Sequence, residues 1–225
     1  MTTISTATAV PFSENRSLHW LCVTFAGFVA YFAWEPEVTF DFWLENVLTI
    51  VFVAILAGSY RRLSLSDLSY TLIFMFLVLH QWGAHYKYSD VPLGEWMKPL
   101  LGATRNHYDR VMHFAYGLLL AYPMQEWFVR SARVRNGFRY FLPIQFALAC
   151  SAVYEILEAM MAHMLSPQRG EEFVGMQGDI WDAQQDMFLA ALGATVAMGA
   201  LILVRQWKLR AVSERAAEHE TLLVR

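Results

Sequence analysis

Charge is what this sequence has least of. Only 16% of its 225 residues are Asp, Glu, Lys or Arg, against 56% that are hydrophobic, and a water-soluble domain of that length needs more charge to wet its surface. The net charge of −3 comes without any concentrated basic face, which argues against nucleic acid as a partner, because phosphate backbones are held by clustered Lys and Arg. Cysteine is nearly missing: Cys22 and Cys150 both lie inside apolar runs, so neither a disulfide framework nor a thiolate metal site is expected. The first apolar run, Leu18 to Trp34, is followed by Glu35 and Pro36 rather than by small residues, and reads as a retained anchor instead of a cleaved signal peptide. No apolar run shows the period-2 alternation of a barrel strand, and there is no internal repeat or low-complexity stretch.

What remains is apolar and aromatic, with eight Trp, ten Tyr and sixteen Phe. Six apolar segments approach the ~20 helical residues that span a hydrocarbon core: Leu18 to Trp34, Phe40 to Tyr60, Leu68 to Tyr86, Val111 to Val129, Tyr140 to Met161 and Ala183 to Val204. The expected fold is an all-α, polytopic transmembrane bundle of about six helices. Residues 1–17 form an N-terminal segment, 18–204 the membrane domain and 205–225 a C-terminal tail, of which Leu209 to Arg225 is expected to be a short surface helix. Arg61 and Arg62 follow the second segment, Arg130, Arg133, Arg135 and Arg139 the fourth, and Arg205, Lys208, Arg210 and Arg215 the sixth. The positive-inside rule makes these cytoplasmic, with both termini on that side. The connections Lys87 to Arg110 and His163 to Asp182 then lie outside and, rich in Pro and Gly, read as functional loops.

Sorted by that orientation, the ionisable residues converge on one leaflet. The third segment brings His80 and His85 to its outer end. The fourth opens with Arg105, Asn106, His107, Tyr108, Asp109 and Arg110 and places His113 one turn inside; the fifth carries Tyr154, Glu155 and Glu158; the sixth opens with Gln177, Asp179, Asp182, Gln185 and Asp186. Asp109 and His113 are four apart, Glu155 and Glu158 three apart, and Asp179, Asp182 and Asp186 follow at three and four, so each set shares one helix face.

Carboxylates buried beside lipid cost several kcal/mol each unless they are paired, protonated or bound to a cation. Six acids here face only Arg105 and Arg110, a deficit that invites a divalent ion. Mixed imidazole and carboxylate donors from facing helices suit zinc, iron or manganese. The candidate metal ligands are His80, His85, Asp109, His113, Glu158, Asp182 and Asp186. The candidate catalytic residues are Arg105, Arg110, Glu155 and Asp179, with a carboxylate as proton acceptor and the arginines holding an anionic group. Blander readings stand beside these. Behind the metal reading come hydrogen-bonded ties between helices, and then a proton or solute path. Arg105 and Arg110 are read just as well as neutralising Asp109 and Asp186 across helices. His107 and His163 read as rim residues, His19 and His219 as surface ones, and Glu45 as a residue within reach of the layer.

The strings HQWGAHYKYSDVP, RNHYDRVMHF, YEILE and GMQGDIWDAQQDM, in this order, resemble the YjdF-like family of bacterial inner-membrane proteins. The likeness runs from the second segment to the end of the sixth. It implies a bacterial inner-membrane helix bundle, with both termini cytoplasmic as read above, whose shared motifs include His80, His85, Arg105, Asn106, Asp109, Arg110, His113, Glu155, Glu158, Gln177, Asp179, Asp182 and Asp186, and it brings no activity with it. From the residues themselves, the leading expectation is a membrane-embedded, metal-dependent hydrolase or transferase acting on a lipid or lipid-linked substrate at the outer leaflet. The alternatives are a proton-coupled transporter, disfavoured by the absence of an inverted repeat, and a non-catalytic assembly component.

Overall fold

The computed structural model describes residues 10–165, 170, 173 and 176–223, with side chains described as far as 215. The elements bounded within these described residues are a short 3-10 turn, Phe12–Glu14, and seven α-helices: α1 Arg16–Phe32, α2 Thr39–Ser59, α3 Asp67–His85, α4 Pro92–Leu101, α5 Tyr108–Ser131, α6 Phe138–Met164 and α7 Asp182–Leu223. There is no strand among the described residues. The all-helical bundle is as the apolar segments predict.

Local chemistry sets several boundaries. Asn15 caps α1 by accepting from Leu18 N at 3.0 Å, and Ser66 caps α3 through Ser69 N, each satisfying an amide that the first turn leaves free. In the connection expected to be a loop, α4 forms because Pro92 occupies its first turn, where no N–H is needed. Glu95 and Lys98 then pair at 2.6 Å along one face, and Gly102, at φ 60°, ends the helix in the left-handed conformation. At the other extreme, α7 runs unbroken through Leu209 to Leu223, since no Gly or Pro follows Gly199; the expected separate surface helix is the end of a long one. Of the third outer connection, His163 lies in α6 and Pro167 and Gly175 lie outside the described residues.

By length and apolar composition α2, α6 and the Asp182–Arg215 part of α7 can each cross a membrane unaided. The helices α3 and α5 carry more polar residues, and they are also the ones with the most buried positions, so their polar side chains face the bundle rather than lipid. Glycines let α5 and α7 cross closely: a Cβ at Gly117 would strike the Ala190 carbonyl, and one at Gly193 the Phe114 carbonyl.

Pairings along the helices fix their directions. His113 meets Ser151 and Glu155 while Ala121 packs with Ala147, so α5 and α6 are antiparallel. Ala121 also packs with Ala194 and Met198, which runs α7 parallel to α5. Tyr108 reaches Leu79 and Ser69 reaches Glu126, which sets α3 antiparallel to α5. The start of α5 and α7 and the end of α3 and α6 therefore share one end of the bundle. Beneath it lies the apolar layer of Ala121, Ala147, Ala194 and Met198.

Candidate functional site

The first turn of α5 is shaped by Asn106. Its side chain lies where a Cβ on Gly94 would have to be; its Nδ2 donates to Val91 O at 3.0 Å and Glu95 Oε1 at 2.9 Å, and its Oδ1 accepts from Tyr108 N at 3.0 Å. One asparagine thus ties α4 to the start of α5. On its backbone side Asn106 N donates to Gln177 Oε1 at 2.8 Å, and Gln177 Nε2 returns a bond to Asn106 O at 3.1 Å. This clasp brings the turn before α7 over the same spot, with Gln177 and Gly178 both at positive φ.

Above the helices the two arginines meet two aspartates. Arg105 Nη1 donates to Asp182 Oδ1 at 2.6 Å and lies 3.8 Å from Asp179; Arg110 Nη2 bonds Asp179 and lies 3.5 Å from Asp182. The sequence alternative that these arginines neutralise Asp109 and Asp186 is replaced by this exchange, because Asp179 and Asp182 stand at the α7 end nearest the loop that carries Arg105. Asp179 is held below the usual carboxylate range, chiefly by the Trp181 amide and then by Arg110. His107, beside them, is pushed down by burial and by the charges of Arg110 and Arg105.

One turn deeper, Asp109, His113 and Asp186 each place a donor atom within 4.8 Å of the others. His113 Nε2 faces Asp109 Oδ1 at 3.7 Å and Glu155 Oε1 at 3.2 Å, while its Nδ1 lies 3.1 Å from Ser151 Oγ. A proton on Nδ1 donated to Ser151 leaves the Nε2 lone pair aimed at the acids, the arrangement by which a second partner orients a ligating imidazole. Asp186 is 1% exposed and its Oδ1 has no hydrogen-bond partner; Glu155, 9% exposed, has an equally unpartnered Oε1, since His113 approaches it without hydrogen-bonding geometry. Among the described residues neither carboxylate, nor Asp109, has Lys or Arg within ion-pair distance.

Asp109 also lines a narrow cleft of about 20 Å³, together with Asp41, Glu45, Glu158, Lys87, Tyr88, Tyr154, Ser89, Ala84, Phe173 and Gln177. Tyr154 Oη donates to Glu45 Oε2 at 3.0 Å. Lys87, the base in this wall, already lies 3.4 Å from Glu37 and 3.3 Å from Asp90. Tyr88 enters because Gly83 has no side chain to strike its ring, and its hydroxyl sits 2.5 Å from His80 Nδ1.

The expected residues therefore divide. Asp109, His113 and Asp186 form one group, with Glu155 against it; Glu158 stands across the cleft on the Asp109 side; Arg105, Arg110, Asp179 and Asp182 form an ion-pair layer above. His80 turns to Tyr88. His85 turns away from the group altogether, its Nδ1 2.8 Å from Phe32 O and its ring against Phe32 and Tyr86, so it joins α3 to α1. Sequence reasoning passed over Ser151, whose place four residues before Glu155 on one face is a usable signal, and over Tyr88 and Asp41, which only the tertiary fold brings in.

A family model described as a predicted membrane protein, DUF2238, matches residues 17–207. The chain belongs to that family. It is also 41% identical over 154 residues to the Inner membrane protein YjdF of Escherichia coli (strain K12), a match covering 68% of this chain and 73% of that protein. The resemblance carried by the four sequence strings is thereby shown, and this DUF2238 member is an integral membrane protein in a lipid bilayer. No solved structure matches the chain.

Proposed function

We propose that this DUF2238 protein is a membrane-embedded, metal-dependent enzyme, a hydrolase or transferase working on a lipid or lipid-linked substrate at the outer leaflet of the inner membrane. The observation that carries the reading is the clustering of Asp109, His113 and Asp186 donor atoms within 4.8 Å, with a buried Asp186 oxygen left without a proton donor. Two carboxylates and one imidazole are the donor set of zinc, iron or manganese, and they fit such an ion better than they fit one another. A cation there would supply Lewis acidity to a carbonyl or phosphoryl oxygen.

The residues around it have separable tasks. Ser151 keeps the His113 ring in one orientation. Glu155, with its free Oε1 beside that ring, is placed to accept a proton, and Glu158 and Glu45 line the narrow cleft beside Asp109. The apolar layer of Ala121, Ala147, Ala194 and Met198 beneath the group supports an enzyme over a transporter, because a transport path needs polar groups continuing across the bilayer.

Metal analysis of detergent-purified protein tests this. About one equivalent of a transition metal is expected, falling at least tenfold in Asp109→Ala and Asp186→Ala proteins that still elute as the wild type does. Less than a tenth of an equivalent in the wild type, after growth and dialysis in each candidate metal, removes the reading.

A further inference from the structure

Arg105 is 9% exposed, yet it uses one nitrogen of its guanidinium. Nη1 donates to Asp182 Oδ1 and, at 3.2 Å, to Met176 O, whereas Nε and Nη2 are enclosed and have no partner. Those two N–H groups form one edge of the planar fork, the edge that gives a pair of parallel hydrogen bonds to an oxyanion. Arg110 repeats the pattern: Nη2 goes to Asp179, Nη1 lies 3.4 Å from His107 Nδ1, and Nε is enclosed without a partner. A fold that needed these arginines only as ties to Asp179 and Asp182 could have used lysines, which leave no idle fork behind.

We propose that the free edge of Arg105, with Arg110 Nε as a further donor from the guanidinium that shares Asp179 and Asp182 with it, is a subsite for the phosphoryl group of a phosphate ester. Three unused N–H donors on two side chains match a tetrahedral group with three oxygens better than a planar carboxylate with two. Asp179 and Asp182 cancel the formal charge of the two arginines, so a dianion settles here with the help of a cation at Asp109, one turn below Arg105; to that extent the inference rests on the metal reading. Entry requires the turn of residues 176–179 to lift, and what holds it down is the pair of hydrogen bonds between Asn106 and Gln177 together with the bonds from Arg105 to Met176 O and from Arg110 to Asp179.

Binding of inorganic phosphate to the full chain in detergent, measured by calorimetry with and without chelator, tests the subsite. Arg105→Lys is the informative variant, since it keeps a cation for Asp182 and loses the fork, and its metal content is measured alongside. The expected result is saturable phosphate binding weakened tenfold or more by Arg105→Lys at unchanged metal content. Phosphate binding that is equal in wild type and Arg105→Lys, or absent from metal-loaded wild type, overturns the subsite and leaves the metal reading standing. Phosphate binding that depends on Arg105 in protein holding no metal supports the subsite and removes the metal reading. A further arm adds nanodiscs of phosphatidic acid in phosphatidylcholine. Displacement of phosphate by them supports a lipid headgroup as the source, and phosphate binding undisturbed by them supports a soluble phosphate ester in the same subsite.

Discussion

Two carboxylates are buried at opposite ends of this bundle, and they are treated in opposite ways. Glu126, 7% exposed near the end of α5, accepts from Ser66 N at 2.9 Å, from Ser66 Oγ at 2.9 Å and from Ser69 Oγ at 2.5 Å, and pairs with Arg130 at 2.6 Å. Asp186, near the start of α7, is more deeply buried and has an oxygen with no donor at all. Glu126 shows what a structural carboxylate looks like here: it caps α3 from outside, joins α3 to α5, and every lone pair in use has a partner. Among the described residues no such donors meet the free oxygens of Glu155 and Asp186. Burying an unpaired carboxylate costs several kcal/mol, so the acid-rich end departs from the rule the other end obeys, in the manner of sites that trade stability for function.

The sharpest way to break that contrast is to remove one acid from each end. Glu126→Ala strands the Ser66 amide and two hydroxyls in a buried place, and is expected to lower stability in detergent by about 3 kcal/mol. Asp186→Asn in metal-free protein is expected to leave stability unchanged or raise it by about 1 kcal/mol, because it removes an uncompensated charge. Equal losses in thermal or denaturant unfolding would make the two ends alike, both structural.

A smaller effect separates packing from chemistry. Gly117→Ala drives a methyl into the Ala190 carbonyl and must move α5 away from α7, at a cost of about 1–3 kcal/mol. Because Asp109 and His113 ride on α5 and Asp186 on α7, the same change is expected to weaken metal retention severalfold. Stability lost with metal content intact would show the three donors to be independent of that helix crossing.

The fold was legible in the sequence because lipid leaves a chain few options: apolar runs near 20 residues must be helices. Which end gathers the acids followed from Lys and Arg placement and from spacings of three and four, and Asp109, His113, Glu155 and Asp186 do meet. Partner choice was not legible. Asp182 and Asp186 share a helix face, yet one turn of height puts Asp182 against Arg105 and Asp186 against His113. His80 and His85 are five apart in α3, about 500° around a helix, so they point differently; His80 meets Tyr88 and His85 meets Phe32 of α1, partners that periodicity cannot announce. The clasp between Asn106 and Gln177 joins residues 71 apart, and nothing local marks it.

The smallest expected effect concerns the ion-pair layer that closes the acid-rich end. Asp179 has its folded-state pKa depressed by the Trp181 amide and by Arg110, so the folded protein holds its charged form more tightly than the unfolded chain does. The sign follows from linkage: the stabilisation is whole above the unfolded value near 4, and it is lost as the pH falls through the lower folded value. Asp179→Asn is therefore expected to unfold slightly more easily than wild type at pH 6 and to match it once the pH has dropped below the depressed folded value. The Glu126 end provides the control, since Glu126→Gln should differ from wild type by a margin that the Asp179 substitution leaves untouched. A deficit in Asp179→Asn that persisted undiminished at the lowest pH would mean that shape, and not charge, holds the layer shut.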